Sequence, residues 1–589
     1  MTDIAPRSTA SPDAREERFL TRLLATNPDD AEILCRLALV RLRLGQAGLG
    51  NEIAKRAAAL APHDPLCHMA LGETHKALRQ LPEARTSLES AVALDKTNPA
   101  AWLALGEVLS QISGGADKAA DCFRQAIALA PGLIKAQTGL AAVMMAAKRY
   151  DDAIAAYRMA IAATPDPNPA DLLNNLGVAL ERLERREDAV AVLRTAAAIR
   201  PDVAAIHDNL GNAQLATGNA AAAEASHRRA LSLGAKGSET WSNLGNALHR
   251  QGRLDEADAA YRRALQQSPN AAKFHTNLAL NLLLSGRYAE GWKEYEWRWR
   301  EHPNFPAYLR DRRWDGSPLP PSLPAGGTLL LQAEQGYGDT IQFIRYVPLL
   351  KSMGVSRVIL ACQPELMRIM EVAPGLDGVY SEVAPLPPFD RAMTLLSLGG
   401  LLGVGEREIS TATPYLSVPK GAGVKLPSPP GKVAGTLKVG LAWAGRPTHG
   451  DDWSRSIPAR LLDPILAVPA ITFYSLQRGA IAERLGRPAA DTLLDAADLC
   501  ADFADTAAVV ASLDLIISVD TAVVHMAGAL GKPVWVLLPP VPDFRWRMQG
   551  ETTPWYPTMR LFRRGVDCGW EGPIAEVAAH LRDQISAKK

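Results

Sequence analysis

Over the first half of the chain, small and apolar residues return with a period of about 34 residues, which is typical of stacked helical hairpins. Pairs of alanines seven positions apart mark this period: Ala84/Ala91, Ala119/Ala126, Ala153/Ala160, Ala189/Ala196, Ala223/Ala230 and Ala257/Ala264. Prolines recur in the same register: Pro28, Pro62, Pro131, Pro165, Pro201, Pro269 and Pro303. Small side chains let two helices approach closely, and proline ends one pair before the next begins. The pattern predicts roughly eight helix pairs over about residues 31–303.

This pattern resembles the tetratricopeptide repeat, which implies an α-helical solenoid whose groove holds a protein or peptide. A plain spacer is the alternative. We place the repeats at 19–303 and a disordered tail at 1–18, where the sequence is polar and contains proline.

Four asparagines occupy one register of these repeats, each one residue before the repeat's leucine: Asn175, Asn209, Asn243 and Asn277. Asparagine is a poor helix former, so helix propensity does not explain why it recurs at this position. Its amide matches both the C=O and the N–H of a peptide unit, so a ladder of amides can hold an extended acceptor chain by its backbone. The arrangement is similar to the asparagine ladder of eukaryotic O-GlcNAc transferase. The alternative is that these amides hydrogen-bond between adjacent repeats.

The second half of the chain changes to short apolar runs that alternate with loops and short helices. Segments rich in Pro and Gly at 304–327 and 421–436 separate two such series, at 328–420 and 437–589. Strand-like runs include "TLLLQAE", "SRVILAC", "LKVGLAWAG", "LDLIISV" and "KPVWVLL". The alternation predicts two α/β domains with doubly wound parallel sheets, which bind ligands at the carboxyl ends of their strands.

Composition narrows the classes of function. The 589 residues carry 64 Lys and Arg against 63 Asp and Glu, so no net field favours nucleic acid or acidic membranes. The six cysteines are scattered, and the chain has no signal-peptide pattern and no apolar run long enough for a membrane span. We expect a cytoplasmic protein of unknown oligomeric state. The C-terminal half has no Asp-x-Asp, so we expect no metal.

Four ordered motifs resemble those of heptosyltransferase-type enzymes and of bacterial tetratricopeptide-repeat glycosyltransferases. The motifs are "EQGYGDTIQFIRY", "WAGRPTHGDDWSRSIP", "SVDTAVVHMAGALGKPVWVLLP" and "DFRWRMQGETTPWYPTMRLFRR". The resemblance implies a GT-B fold of two Rossmann-like domains, with the acceptor-side domain first and the domain that binds the donor nucleotide second.

The resemblance also implies roles for individual residues. Asp339 matches the proposed catalytic base, and the alternative is a helix cap. The donor nucleotide-sugar is assigned to these residues: Gly338, Thr340, Arg455, Gln477, Asp520, Thr521, Ala522 and His525.

The donor residues have distinct expected roles and alternatives. Asp520, itself an anion, is expected to accept from backbone N–H groups or a sugar hydroxyl. Arg455 is a phosphate ligand or a surface cation, and Gln477 is expected to contact the base or ribose. His525 is a donor contact or a core histidine. Ala522 stands where the family usually has Gly, so its methyl limits how closely the donor approaches.

The sequence therefore predicts an inverting, metal-independent glycosyltransferase with no cofactor, which moves a sugar from a nucleotide-sugar to a protein such as flagellin or another surface protein. The alternatives are transfer to a glycolipid or lipopolysaccharide precursor, and a non-catalytic repeat scaffold with a decayed transferase half. Nucleotide, sugar and acceptor stay open.

Overall fold

The computed structural model describes residues 11–165, 168–300, 306–317, 327–405, 413–428, 437–446, 452–478, 493–566 and 568–587. The chain divides into two compact units, Met1–Ala235 and Lys236–Lys589. Within the described ranges no helix is long and apolar enough to cross a membrane.

The first unit consists of helices, which pair in order along the chain after the first one. Their bounds are α1 Pro12–Thr26, α2 Ala31–Arg43, α3 Ala47–Leu60, α4 Pro65–Ala77, α5 Leu81–Leu94, α6 Pro99–Leu109, α7 Ala116–Leu129, α8 Ile134–Ala146, α9 Tyr150–Ala163, α10 Ala170–Arg182, α11 Arg186–Ile199, α12 Ala204–Ala216 and α13 Ala220–Ser232. The pairs run from α2/α3 to α12/α13, which confirms the predicted repeat.

Helix α1 begins earlier than the sequence indicates. Ser11 caps it by accepting from the backbone N–H of Ala14 at 3.2 Å, and Asp13 pairs with Arg43 at 2.8 Å. The predicted disordered tail of residues 1–18 is therefore too long at its C-terminal end, because local capping and an ion pair to α2 support a helix from Pro12.

Small residues bring the paired helices together as predicted. The twelve alanines of the repeat register are fully buried. A Leu-Gly step also recurs near the start of the repeats, at 71–72, 176–177, 210–211 and 244–245, and its glycine is equally constrained. A Cβ on Gly177 in α10 would lie 2.4 Å from Cγ of Leu193 in α11. The close approach of the two helices thus depends on residues with little or no side chain.

The second unit begins with two more helix pairs, α14 Ser238–His249 with α15 Leu254–Gln267 and α16 Ala272–Leu284 with α17 Tyr288–Tyr295. Its other helices are α18 Ala307–Asp311, α19 Tyr337–Phe343, α20 Val347–Ser352, α21 Met367–Met370, α22 Leu398–Leu401, α23 Asp452–Arg455, α24 Asp463–Leu466, α25 Phe503–Ala511, α26 Ala522–Ala529 and α27 Glu571–Ser586. Short 3₁₀ helices lie at Glu296–Arg300, Ile344–Tyr346, Pro364–Leu366, Leu395–Ser397, Ala459–Leu462, Ala497–Leu499 and Phe544–Trp546.

Two parallel sheets follow. The first has the order β3-β2-β1-β4, with bounds β1 Thr328–Gln332, β2 Arg357–Cys362, β3 Gly378–Ser381 and β4 Arg391–Thr394. The second has the order β10-β9-β8-β5-β6-β7, with bounds β5 Leu437–Ala442, β6 Ile471–Ser475, β7 Leu493–Asp495, β8 Leu515–Val519, β9 Val534–Leu538 and β10 Met559–Arg563. In both sheets the order changes direction at the first strand, so the C-terminal half is an α/β module as predicted.

The last helix pair and the two sheets share one hydrophobic core. Trp292 of α17 donates to the carbonyl oxygen of Val404 at 3.0 Å, and a Cβ on Gly399 would lie 2.8 Å from its ring. Arg298 is 3% exposed and forms two hydrogen bonds to the Glu334 carboxylate, at 2.7 and 3.0 Å. The composition boundary at 303 is therefore not where the compact units divide.

The predicted linker at 304–327 is folded in part. Residues 306–317 include α18, and Trp314 is buried beside an isolated bridge between Arg313 and Ala392. Residues 304–305 and 318–326 of that prediction lie outside the described residues.

Candidate active site

Two loops at the carboxyl ends of parallel strands meet in the second unit. One follows β1 and leads into α19, and the other follows β8 and leads into α26. Gly338, in the first turn of α19, packs against His525 of α26, and a Cβ on this glycine would lie 2.6 Å from Cδ2 of the histidine. The absence of a side chain at Gly338 therefore lets the start of α19, which carries Asp339, approach the start of α26, which follows Asp520.

Asp339 sits in the first turn of α19 and is largely buried. Its Oδ2 accepts from the backbone N–H of Gly336 at 2.9 Å, and its Oδ1 accepts from Arg545. Burial raises the pKa of this carboxyl, while the charge of Arg545 acts in the opposite direction. Asp339 is therefore not the N-cap residue of the predicted alternative, because α19 begins at Tyr337 after Gly336, but it does bind the N-cap backbone from the first turn, and it also belongs to an ionic cluster.

Arg545 is the centre of that cluster and is 7% exposed. Its Nη1 donates to Asp543 at 2.7 Å, its Nη2 donates to Asp339, and its Nε donates to Gln342. Asp339 and Gln342 belong to α19 near the first sheet, whereas Arg545 follows a strand of the second sheet. One guanidinium thus connects the two α/β parts of the unit.

Asp520 and Arg455 lie at the ends of adjacent strands. Nη1 of Arg455 donates to the backbone carbonyl of Asp520 at 3.1 Å, and its side chain crosses Gly445, where a Cβ would meet Nε at 2.5 Å. Burial raises the pKa of Asp520, with Asp543 adding to the rise and Arg455 opposing it. The arginine therefore faces the inside of the unit at the carboxyl ends of β5 and β8.

His525 is 4% exposed and is packed inside the cluster. Its Nδ1 lies 3.0 Å from the hydroxyl oxygen of Tyr556, and its Nε2 lies 3.8 Å from Oδ1 of Asp520. Burial lowers its pKa well below the usual value, and the charges of Arg545 and Arg345 lower it further, so the ring is neutral. The structure places this histidine between the two loops, with Trp546 and Tyr556 against its ring.

The side-chain amide of Gln477 is bound by backbone groups of its own domain. Its Oε1 accepts from the backbone N–H groups of Trp443 and Ala444, at 3.1 and 2.9 Å, and its Nε2 donates to the carbonyl oxygen of Ala444 at 3.2 Å. Its amide therefore fixes the loop after β5 in this structure.

The remaining predicted donor residues surround the two loops. Thr340 is fully buried, with its hydroxyl 3.4 Å from Oε1 of Gln363. Thr521 is half-buried, with its hydroxyl 3.2 Å from that of Ser518, and it precedes the first helical residue, Ala522. Thr521 and Ala522 thus lie at the N-terminus of α26, where backbone N–H groups are free of helical partners. Part of the "WAGRPTHGDDWSRSIP" motif, residues 447–451, lies outside the described residues.

Several residues of the cluster were not singled out in the sequence. Arg545 lies in the quoted motif "DFRWRMQG", but nothing in that string tells a buried arginine from an exposed one. Arg345 is 3% exposed, donates to the carbonyl oxygen of Trp555 at 2.7 Å and to the hydroxyl of Tyr415 at 3.0 Å, and stacks on Tyr415 and Tyr556. For Arg345, the sequence did contain a signal of burial, since this arginine lies within the otherwise apolar run "IQFIRYVPLL".

The three carboxylates of the cluster do not form a metal site. Within the described ranges, no group of three or more His, Cys, Asp or Glu side chains is arranged to hold a metal ion. Arginine is instead the positive partner of these carboxylates.

The four asparagines of the repeat register differ from one another. Nδ2 of Asn209 donates to Oδ1 of Asn174 at 2.9 Å, and Nδ2 of Asn277 donates to the hydroxyl of Ser242 at 3.2 Å. Both bonds reach the preceding repeat, which is the alternative stated above. Asn175 is exposed, and its Oδ1 accepts from Nδ2 of Asn174 in the same helix at 3.4 Å.

Asn243 is half-buried, and no described residue contributes a hydrogen bond to its amide. The repeat-to-repeat interpretation thus applies to two of the four asparagines. The ladder that binds an acceptor backbone stays a prediction.

Comparison with known proteins identifies the class of the first part. Models of the tetratricopeptide repeat match residues 69–132, 132–202 and 174–240, and a TPR repeat model matches 226–286. The chain is therefore a tetratricopeptide-repeat protein over this region, and such repeats typically bind protein partners.

Among characterised relatives, Protein FlbA of Caulobacter vibrioides (strain ATCC 19089 / CIP 103742 / CB 15) is 28% identical over 300 residues. The match spans 46% of this chain and 48% of FlbA, so the chain spans about half the length of that relative.

Two solved structures also match. The APC/C hetero-tetramer Cut9-Hcn1 is 21% identical with a TM-score of 0.33, over 49% of this chain and 56% of that one. YrrB, described as a TPR protein with an unusual peptide-binding site, is 21% identical with a TM-score of 0.28, over 32% of this chain and 95% of that one.

Proposed function

We propose that this chain is an inverting, metal-independent glycosyltransferase of the GT-B type, which moves a sugar from a nucleotide-sugar to a protein held by its repeats. One observation carries the proposal: the loops after β1 and β8 meet at Gly338 and His525 and gather Asp339, Asp520 and Arg545 at the carboxyl ends of two parallel sheets. Ligands of open parallel sheets bind at such strand ends.

The reaction needs a base at the acceptor and positive charge at the leaving group. Asp339 takes the proton of the acceptor hydroxyl while the hydroxyl oxygen forms a bond to the anomeric carbon of the sugar. The bond from that carbon to the diphosphate breaks, and its electron pair leaves with the nucleoside diphosphate. The raised pKa of Asp339 brings this carboxylate closer to the pKa that suits a general base near neutral pH.

Charge on the leaving diphosphate is met by side chains and backbone. Arg455 lies beside Asp520 at the strand ends, and its guanidinium offers a fork of donors suited to phosphate. The N-terminus of α26, at Ala522, offers free N–H groups to the same anion. His525 supports the two loops as a neutral ring.

A protein acceptor is favoured because the last repeats belong to the same compact unit as the cluster. Tyr295, the last residue of α17, accepts a hydrogen bond from Nε2 of Gln335 at 2.6 Å, and Gln335 lies in the loop that leads to Asp339. In the turn of α14/α15, a Cβ on Gly252 would lie 2.7 Å from the Cε of Met548, which follows Arg545. A chain bound along α14–α17 is thus delivered next to the site. By analogy alone, flagellin or another surface protein is the acceptor.

The non-catalytic scaffold is the second candidate, because several side chains assigned to the donor are engaged inside the protein. Gln477 holds backbone groups of its own sheet, and Arg455 donates to the backbone carbonyl of Asp520. The proposed base, Asp339, is likewise paired with Arg545. Transfer to a glycolipid is less well supported, since no feature of the described surface selects a lipid acceptor over a protein.

The experiment first identifies a donor by thermal shift against a panel of nucleoside diphosphates and nucleotide-sugars, since a bound ligand stabilises the folded state. Release of nucleoside diphosphate is then measured for wild type and Asp339→Asn. Asparagine keeps a capping oxygen but is not a base, so we expect a loss of about 10²–10⁴-fold. The donor should still bind.

Asp502→Asn is the matched control. Asp502 also caps a helix, accepting from the N–H of Ala504 at 2.8 Å, and also pairs with an arginine, Arg368, at 2.8 Å. Activity of the control should stay near wild type. Activity of Asp339→Asn within a few-fold of wild type would leave Asp339 as a helix-capping residue only, and absence of nucleoside diphosphate release by the wild type would support the scaffold. EDTA should leave turnover intact, and its complete loss would contradict the metal-independent mechanism.

A further inference from the structure

Arg545 differs in its partners from Arg345 and Arg298, the other buried arginines among the described residues of this unit. Arg345 donates to carbonyl and phenol oxygens, and Arg298 is paired with Glu334, which has no role in the proposed reaction. Arg545 instead holds Asp339, the carboxylate proposed as the base. A carboxylate whose oxygen already accepts from a guanidinium is a poor proton acceptor, so the pair must open before transfer.

The rest of the guanidinium is bound in a way that allows this opening. Its Nη1 is anchored by Asp543, two residues earlier in the same loop, at 2.7 Å. Among the described residues, its hydrogen-bond partners from another part of the fold are Asp339 and Gln342. The arginine thus keeps one ionic partner when it leaves Asp339, and a second anion can replace the one it loses.

The backbone near both partners is strained. Gln335, in the loop before Asp339, has φ of 62°, and Arg547, two residues after Arg545, has φ of 57°. Residues other than glycine rarely adopt this left-handed conformation, and it is concentrated at functional sites. Both loops are therefore held in position by their surroundings.

We propose that Arg545 is an exchange residue, which pairs with Asp339 in the free protein and turns to the diphosphate of the bound nucleotide-sugar. This inference rests on the proposed function. The exchange couples two events, because the anion that arrives with the donor takes the guanidinium and leaves Asp339 free to accept a proton.

The exchange fits the proton and charge balance of the reaction. The acceptor proton goes to the freed Asp339, and the negative charge on the departing diphosphate is met by Arg545. When the nucleoside diphosphate leaves and Asp339 gives its proton to solvent, the ion pair forms again. The base is thus available only while a donor occupies the site.

The test measures binding of UDP, GDP, CDP and ADP by calorimetry to wild type, Asp339→Asn, Arg545→Lys and the control Asp502→Asn. In Asp339→Asn the diphosphate no longer has to displace a carboxylate from Arg545. This variant should therefore bind the preferred diphosphate on the order of tenfold more tightly than wild type. Arg545→Lys should bind on the order of tenfold more weakly, because lysine cannot supply the planar fork. Asp502→Asn should match wild type.

The outcomes separate the two proposals. If wild type binds a diphosphate and Asp339→Asn binds it no more tightly, the exchange is refuted while the donor site stands. Equal tightening by Asp502→Asn also refutes it, since the effect is then one of net charge. Binding by Asp339→Asn alone supports the exchange in its strongest form. If none of the four diphosphates binds wild type or Asp339→Asn, both proposals fail. Asp339→Asn keeps the capping oxygen, so its diphosphate affinity tests the exchange even if Arg545→Lys does not fold.

Discussion

Repeats of the same design are held in place differently in the two compact units. In α2–α13 the helices meet through fully buried alanines such as Ala126 and Ala160, and most charges pair on the surface, as Arg85 and Glu89 do. The helices α16–α17 pack on the sheets through Trp292, and the 3₁₀ helix that follows them adds Arg298; both side chains are almost fully buried. The first arrangement depends on small side chains that let helices approach closely. The second depends on particular large side chains that fill the space between helices and sheets.

The difference shows what each part of the repeat region contributes. A repeat that contacts only its neighbours can change its exposed residues without disturbing the α/β module. A repeat that shares a core with the sheets fixes the position of Tyr295 beside the loop that leads to Asp339. Support of the loop that leads to Asp339 therefore comes from the last repeat helices, α16–α17, and from the 3₁₀ helix that follows them.

The largest effect is expected at the junction. Arg298→Met should lower the free energy of unfolding of the second unit by about 3–5 kcal/mol, because it leaves the buried Glu334 without its partner. Denaturant unfolding followed by tryptophan fluorescence measures the change. The double variant Arg298→Met/Glu334→Gln should recover part of the loss. A change below about 1 kcal/mol for the single variant would show that the two parts are less tightly joined than the contacts indicate.

A second effect concerns the close approach of helices in the first unit. Gly177→Ala should destabilise by about 1–3 kcal/mol, since its Cβ would lie 2.4 Å from Cγ of Leu193. Gly48→Ala is the matched control in α3, where nothing lies within 4 Å of the added carbon and the change should stabilise by about 0.5 kcal/mol. Circular dichroism melts measure both. Equal shifts in the two variants would contradict the packing argument.

The asparagine register is expected to divide by hydrogen bonding. Asn209→Ala and Asn277→Ala should each cost about 0.5–1.5 kcal/mol through the lost bond to the preceding repeat. Asn175→Ala should be neutral or stabilising by a few tenths of a kcal/mol, because alanine is the better helix former. With a protein acceptor in hand, Asn175→Ala and Asn243→Ala should still reduce its glycosylation. Unchanged glycosylation in both variants would contradict the asparagine ladder and leave hydrogen bonding between repeats as the role of this register.

The smallest effect is expected on the repeat surface. Arg85→Ala breaks an exposed ion pair with Glu89 and should change stability by less than about 0.5 kcal/mol. The thermal midpoint measured at low and high salt checks this. A loss comparable to that of Gly177→Ala would mean that surface charge holds these repeats together.

The repeats were predictable because their information is local and periodic. The alanine register, the Leu-Gly step and the helix pairs follow from spacing alone, as do most strands of the two sheets. The family resemblance marked Asp339 and Asp520 as site residues, and the rule that parallel sheets bind ligands at the carboxyl ends of their strands is consistent with their places after β1 and β8.

Arg545 and Arg298 were not predictable in the same way. Each is buried by partners that are distant in sequence, such as Gln342 and Glu334, and no local pattern encodes such pairing. The internal hydrogen bonds of Gln477 and of two register asparagines have the same origin. Sequence motifs marked where chemistry is concentrated, and tertiary packing decided which polar groups are already satisfied.

The shared core of α17 and the sheets determines how the gene can be cut and lengthened. A fragment that starts at the composition boundary after residue 303 loses Trp292 and Arg298 and exposes the apolar surface they cover. A fragment that starts at Lys236 keeps them. Duplication or deletion of whole repeats within α2–α13 leaves every contact of that core unchanged, so evolution can alter the length of the array while the α/β module keeps its own sequence.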